Sequence, residues 1–162
     1  MIKTLRRLVR ETIAQDASNR KVVTFDFDDT LLWTRVIRDE AGDYLEHVPA
    51  GKNGDVFPIF LKMLNDPDVE VHIVTSRHGK PTNPNASVPS SYTEVFDQLR
   101  DWGVIDKVAG VHFTNGNLRV GKLRELGSEL HFDDDTEELE ALQGTGIKGV
   151  QAYPHPSWER SQ

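Results

Sequence analysis

The chain has 162 residues, a formal net charge of −7 and no cysteine. This length suits one domain that buries its core without staples, and the missing cysteine excludes disulfides, thiolate nucleophiles and zinc–thiolate sites. The acidic balance argues against a general nucleic-acid footprint, and no apolar run spans a bilayer, so a soluble, cytoplasmic protein is expected.

At the N-terminus, MIKTLRRLVRETIAQD has no apolar segment after its basic residues and is not a secretory signal. Ile2, Leu5, Leu8, Val9 and Ile13 mark one face of an amphipathic helix over residues 1–18, packed on the domain with its arginines solvated. Val22 to Phe25 are β-branched or aromatic, as a buried strand requires. Thr34 to Val48 reads as a hairpin around Ala41-Gly42-Asp43. A helix over Asp55 to Asn65 carries Val56, Ile59, Phe60, Met63 and Leu64 on one side. The hairpin and this helix form an insertion over residues 34–69.

The second buried strand ends at Thr75. His78 to Ser91 is rich in Pro, Asn and Ser and reads as a long loop. Tyr92 to Trp102 is expected as a helix stopped by Gly103, and Lys107 to Thr114 as a third strand. A short helix over Asn117 to Leu126, a fourth strand over Glu129 to Asp133, a helix over Thr136 to Gln143 and a fifth strand over Gly149 to Tyr153 complete the pattern. The tail, residues 154–162, reads as irregular, and no boundary divides residues 1–162 into more than one domain.

This alternation predicts an α/β fold with a parallel, doubly wound, five-stranded sheet, whose ligands bind beyond the carboxyl ends of the strands. Three strands end in polar clusters: Asp26-Phe27-Asp28-Asp29-Thr30, Thr75-Ser76-Arg77 and Asp133-Asp134-Asp135. Carboxylates packed so tightly repel one another unless a cation sits among them, and a hard divalent ion such as Mg2+ meets that need. Asp is also a common turn and cap residue, so the convergence of three strand ends carries the signal rather than any one acid.

With these residues in place, the chain resembles the haloacid dehalogenase (HAD) superfamily of phosphohydrolases, over about Val22 to Tyr153. The matching pieces, in order, are a hydrophobic strand with DxDxT at Asp26 to Thr30, a strand ending in Thr75, a helix lysine best matched by Lys122, and a strand ending in Asp133-Asp134. The resemblance implies a three-layer Rossmann-like fold, sheet order 5-4-1-2-3, with a β-hairpin flap after the first strand. It implies Asp26 as the nucleophile that becomes an aspartyl-phosphate, and Asp28 as the acid that protonates the leaving oxygen and then serves as base. It also implies Mg2+ held by Asp26, the Asp28 carbonyl and Asp134, with Asp133 orienting a water. The motif-four register stays open among Asp133, Asp134 and Asp135. Thr75, with Ser76 as the alternative, would hydrogen-bond a phosphoryl oxygen. Lys122 would clamp it, with Arg119, Arg124 and Lys107 as competitors.

Family members differ mainly in cap domains, and this chain has room only for a hairpin and a helix. A nearly capless site suits a phosphorylated small molecule, phosphoprotein or nucleic-acid end, or closure by another subunit. Arg77 would bind a substrate phosphate or carboxylate, or pair with a surface acid; Trp33, Arg35, Arg38, His78 and Lys80 are further specificity candidates. The alternatives are a phosphotransferase of the same fold and a non-catalytic regulatory or binding protein. A receiver-type signalling domain fits poorly, because the third strand ends in Phe113-Thr114-Asn115 with no Asp.

Overall fold

The structure is a computed structural model that describes residues 19–153, so the helix expected over residues 1–18 and the tail over 154–162 lie outside the described residues. In chain order the elements are β1 (Lys21–Phe25), β2 (Leu32–Arg38), β3 (Tyr44–Lys52), α1 (Phe57–Leu64), β4 (Val69–Thr75) and α2 (Ser90–Asp101). A 3-10 turn (Ile105–Lys107), β5 (Gly110–Phe113), α3 (Val120–Leu126), β6 (Leu130–Asp133), α4 (Thr136–Glu140) and β7 (Lys148–Gln151) follow.

Five strands pair in parallel in the order β5-β4-β1-β6-β7. Counted without the hairpin and from the β7 edge, this is 5-4-1-2-3. The central strand, β1, sets Phe25 opposite Ile73 of β4 and Phe132 of β6.

The two faces of the sheet differ in chemistry because successive strand residues point to opposite sides. One face presents Val23, Phe25, Val71, Ile73 and Phe132, and buries them against Phe57 and Phe60 of α1 and Val95 and Leu99 of α2. Phe25 stacks on Phe132 with ring centroids 4.6 Å apart and meets Phe60 edge-on at 5.2 Å. The other face is smaller and more polar: Val74 packs with Leu123 of α3 and with Leu142 and Ile147 beyond α4. Thr24, His72, Gly110, His112 and His131 share this second face by register. Gly110 leaves room there for the two imidazoles, since a Cβ would lie 2.9 Å from His112 Nε2 and 3.0 Å from His72 Nδ1.

Strands β2 and β3 form an antiparallel pair with register shifts at Trp33/Thr34 and Ile37/Arg38. Buried Asn53 fastens the hairpin to the domain. Its N–H donates to the Leu31 carbonyl at 2.8 Å, and its side-chain oxygen takes the N–H groups of Asp55 and Val56 just before α1.

Several boundaries differ from those expected. The third sheet strand starts at Gly110 rather than Lys107, because Ile105–Lys107 turns as a 3-10 segment and pairing begins with Ala109 N–H to the Val71 carbonyl. Helix α3 starts at Val120 rather than Asn117: Thr114 and Asn117 bond each other across a turn with positive φ at Asn115 and Gly116. Helix α4 stops at Glu140, and α2 begins two residues early, at Ser90.

Candidate active site

The site begins where β1 ends. Asp26 donates its N–H to the Phe132 carbonyl at 2.9 Å, the last rung joining β1 to β6. The chain then folds back, and the Phe27 carbonyl takes the N–H groups of Leu31 and Leu32 at 3.0 and 3.1 Å. Asp29 makes this reversal, with φ +60, and its carboxylate takes both the N–H and the hydroxyl of Thr34 at 2.9 Å. Asp29 is thus a turn residue. Thr30 is buried and donates towards Asp26 Oδ2 at 3.2 Å and Asp134 Oδ1 at 3.4 Å.

Adjacent β6 brings the second group of acids. Asp26, Asp133 and Asp134 each offer a carboxylate oxygen within 4.8 Å of the others. Asp133 is fully buried; its Oδ1 takes the Asp135 N–H at 3.0 Å, and its Oδ2 takes His131 Nε2–H at 2.8 Å. Asp135, the third of the run, caps α4 by taking the Glu137 N–H at 2.9 Å.

Arg119, immediately before α3, supplies the cation. Its Nη2 lies 3.0 Å from Asp26 Oδ1, and its Nη1 lies 3.3 Å from Asp133 Oδ2 and 3.0 Å from Glu138 Oε1. Glu138, buried on α4, also takes the Arg119 backbone N–H at 2.9 Å. Burial works against the Arg119 charge, but Asp26, Asp133 and Glu138 overcome it and hold the guanidinium above its ordinary value.

The acids feel the opposite pressure. Burial, then the Asp133 charge, pushes the Asp26 carboxyl well above its usual range, against the pull of Arg119. Burial likewise pushes Asp134 up to about 6. With the protein's own charges alone, the cluster is therefore short of positive charge.

Lys122 does not join this cluster. It sits in the first turn of α3 and pairs with Glu125 at 2.9 Å, whereas Arg119, one of the named competitors, is the cation that lies beside Asp26. Burying a cation needs acids close on several sides, and only Arg119 of the two has Asp26, Asp133 and Glu138 around it.

On the β4 side, Thr75 is buried and its hydroxyl oxygen takes the Arg77 N–H at 3.3 Å. Ser76 is half-buried, its carbonyl taking Gly116 N–H at 2.7 Å. Arg77 grips Asp28 as a fork: Nε donates to Oδ2 at 2.8 Å and Nη2 to Oδ1 at 2.7 Å. Its Nη1 donates to the Ser91 carbonyl at 2.7 Å and to Glu94 at 2.9 Å, and the guanidinium lies over the Phe27 ring. Of the two roles expected for Arg77, this geometry is the pairing one, with Asp28 and Glu94 as the acids.

The donor set fits Mg2+. The oxygens are hard ligands, and Asp26 Oδ1 is a buried acceptor that takes no hydrogen bond among the described residues, its contact with Arg119 being ionic only. Arg119 Nε is a buried donor without an acceptor among the described residues. A cation would satisfy the first, and a phosphoryl oxygen the second.

Sequence reasoning named Thr30 only as the end of the first motif, and gave no role to Thr30, Glu138 or His131. For His131 a signal existed, since residues two apart on a strand share a face and Asp133 is its i+2 neighbour. For Glu138 none did, because its contact depends on how α4 is placed.

No family model matches this chain, and no curated protein matches it. Among solved structures it is similar to a 3-deoxy-D-manno-octulosonate 8-phosphate phosphatase from Moraxella catarrhalis, a complex with magnesium, phosphate and KDO. That likeness has 20% identity and a TM-score of 0.46, over 88% of this chain and 74% of the other. It is also similar to a hypothetical protein from Xanthomonas campestris, with 25% identity and a TM-score of 0.47, over 88% of this chain and 69% of the other. Both TM-scores lie below one half, so the function of this chain has to be read from its own residues.

Proposed function

We propose that this chain is a Mg2+-dependent phosphatase of the HAD type that hydrolyses a phosphate monoester through an aspartyl-phosphate on Asp26. The observation that carries this reading is Asp26 itself: a buried carboxylate with one oxygen that takes no hydrogen bond among the described residues, beside Arg119 and two further acids. A scaffold gains nothing from such a group, whereas a carboxylate that is to meet both a cation and a phosphoryl group needs an oxygen that the fold leaves unused.

Asp26 attacks phosphorus, the bond to the leaving oxygen breaks, and that oxygen takes a proton from Asp28. Water then attacks the phosphorus of the aspartyl-phosphate, Asp28 takes its proton, and the Asp26 carboxylate is regenerated. Arg119 offsets negative charge on the transferring group, and Thr75 donates a hydrogen bond to it. Asp26, Asp134 and the Asp28 carbonyl would hold Mg2+, which, when bound, lowers the repulsion between phosphoryl oxygens and the acids. Asp133 would orient a water. The substrate class is a phosphorylated small molecule or the phosphorylated end of a larger one.

The test is release of p-nitrophenol from p-nitrophenyl phosphate, with Mg2+ and with EDTA, by wild type and Asp26→Asn. Turnover that needs the metal and falls by about a thousandfold or more in the variant is expected. Turnover that survives in pure Asp26→Asn protein excludes the mechanism.

A further inference from the structure

Behind the site runs a chain of buried hydrogen bonds that the proposed steps do not use. Ser128 Oγ lies 2.8 Å from Thr24 Oγ1, Thr24 Oγ1 lies 2.8 Å from His131 Nδ1, and His131 Nε2 lies 2.8 Å from Asp133 Oδ2. Thr24, His131 and Asp133 are fully buried and Ser128 nearly so. The middle contact crosses from β1 to β6 on the polar face of the sheet, where Thr24 and His131 are register partners, and Ser128 joins from just before β6.

The direction of the His131–Asp133 bond is fixed. A carboxylate oxygen accepts, so Nε2 carries the hydrogen and donates. At the other nitrogen the Thr24 hydroxyl can donate or accept, because the Leu130 carbonyl lies within 3.3 Å of Thr24 Oγ1 and 3.1 Å of Ser128 Oγ to take a displaced hydroxyl hydrogen. Asp133 Oδ2 is therefore held between His131 on one side and Arg119 on the other, and Arg119 is the cation beside Asp26.

We propose that His131 is a positioning residue: held by the Ser128–Thr24 hydroxyl pair, it fixes Asp133 and, through Asp133, the Arg119 guanidinium beside Asp26. Without the Nε2–H donor, Asp133 turns its buried oxygen wholly to Arg119 and draws the guanidinium off Asp26. This inference rests on the phosphatase reading. It moves the turnover step rather than substrate binding, because Asp133 and Arg119 are arranged around the nucleophile. Groups that orient the inner residues of such a site typically contribute about 10–100-fold to activity.

The experiment compares wild type, His131→Gln, His131→Leu and Thr24→Val on p-nitrophenyl phosphate with Mg2+, each with its thermal unfolding midpoint. Gln keeps an N–H near the Nε2 position, Leu removes it at similar bulk, and Val replaces the Thr24 hydroxyl by a methyl of the same shape. Expected are a kcat at least about tenfold lower in His131→Leu with KM nearly unchanged, most activity retained in His131→Gln, and a loss of about threefold or more in Thr24→Val. If His131→Leu keeps the wild-type kcat, or if Gln is as impaired as Leu, the role is packing and the inference falls. If His131→Leu does not fold, Thr24→Val decides: a lowered kcat at wild-type KM and midpoint supports the inference, and a wild-type kcat overturns it. Failure of the phosphatase reading shows separately, as no Mg2+-dependent turnover in wild type or full turnover in Asp26→Asn, and removes the inference with it.

Discussion

At the scale of single residues, the site divides its cations by how many carboxylates surround each. Arg119 is buried among three acids, so its removal leaves Asp26, Asp133 and Glu138 without their shared partner. Arg119→Ala is expected to lower kcat/KM for p-nitrophenyl phosphate by about a hundredfold or more, while Lys122→Ala stays near wild type, because an exposed i,i+3 pair contributes little. Equal losses in the two variants would return the clamp to Lys122. Arg77 offers a second contrast. Its fork on Asp28 predicts that Arg77→Met lowers kcat about tenfold or more with KM little changed, through a misplaced Asp28, the proposed proton donor. A raised KM at wild-type kcat would instead mark Arg77 as a substrate ligand. Steady-state kinetics in Mg2+ buffer reads both.

At the scale of elements, the site depends on strands whose ends stay level. β1 is held from below by the stacked rings of Phe25 and Phe132 and by the edge of Phe60, all buried. Phe25→Ala opens a cavity beneath Asp26 and is expected to cost about 3–5 kcal/mol, read as a lower urea midpoint at unchanged m. A change below about 1 kcal/mol would mean that the apolar face closes over the gap. The alternation of strand and helix, and the apolar face of each helix, are legible in the sequence because periodicity is local. The starts of β5 and α3 are not. They are set by the 3-10 turn at Ile105–Lys107 and the positive-φ turn at Asn115-Gly116, which follow from how the segments reach the sheet.

At the scale of the whole molecule, the acid cluster links folding to pH and, on the proposed function, to metal. Asp134, raised to about 6, keeps a proton in the folded protein that the unfolded chain releases near pH 4. Over that window the folded state binds more protons, so stability falls as pH rises, by up to about 3 kcal/mol from Asp134, and the raised Asp26 carboxyl acts in the same direction. Under the proposed function Mg2+ competes with the proton for the same oxygens, so the increase in unfolding midpoint caused by Mg2+ is expected to be roughly 5 °C at pH 7.5 and close to zero near pH 5. Differential scanning fluorimetry with Mg2+ and with EDTA checks this. An increase that does not vary with pH would place the metal away from Asp26 and Asp134. Among the described residues, no helix is long and apolar enough to cross a membrane.

Taken by itself, the sequence determined that strands alternate with helices and that acids stand just past the first and fourth buried strands, because hydrophobic period and the residues that follow it are written within a few positions. Tertiary structure alone decided which cation meets those acids. Arg119 and Lys122 lie one helical turn apart and look alike in sequence, yet only Arg119 emerges where β1, β6 and α4 bring Asp26, Asp133 and Glu138 together. Charge pairing in a buried site is a sum over neighbours far apart in the chain, and no local pattern contains that sum.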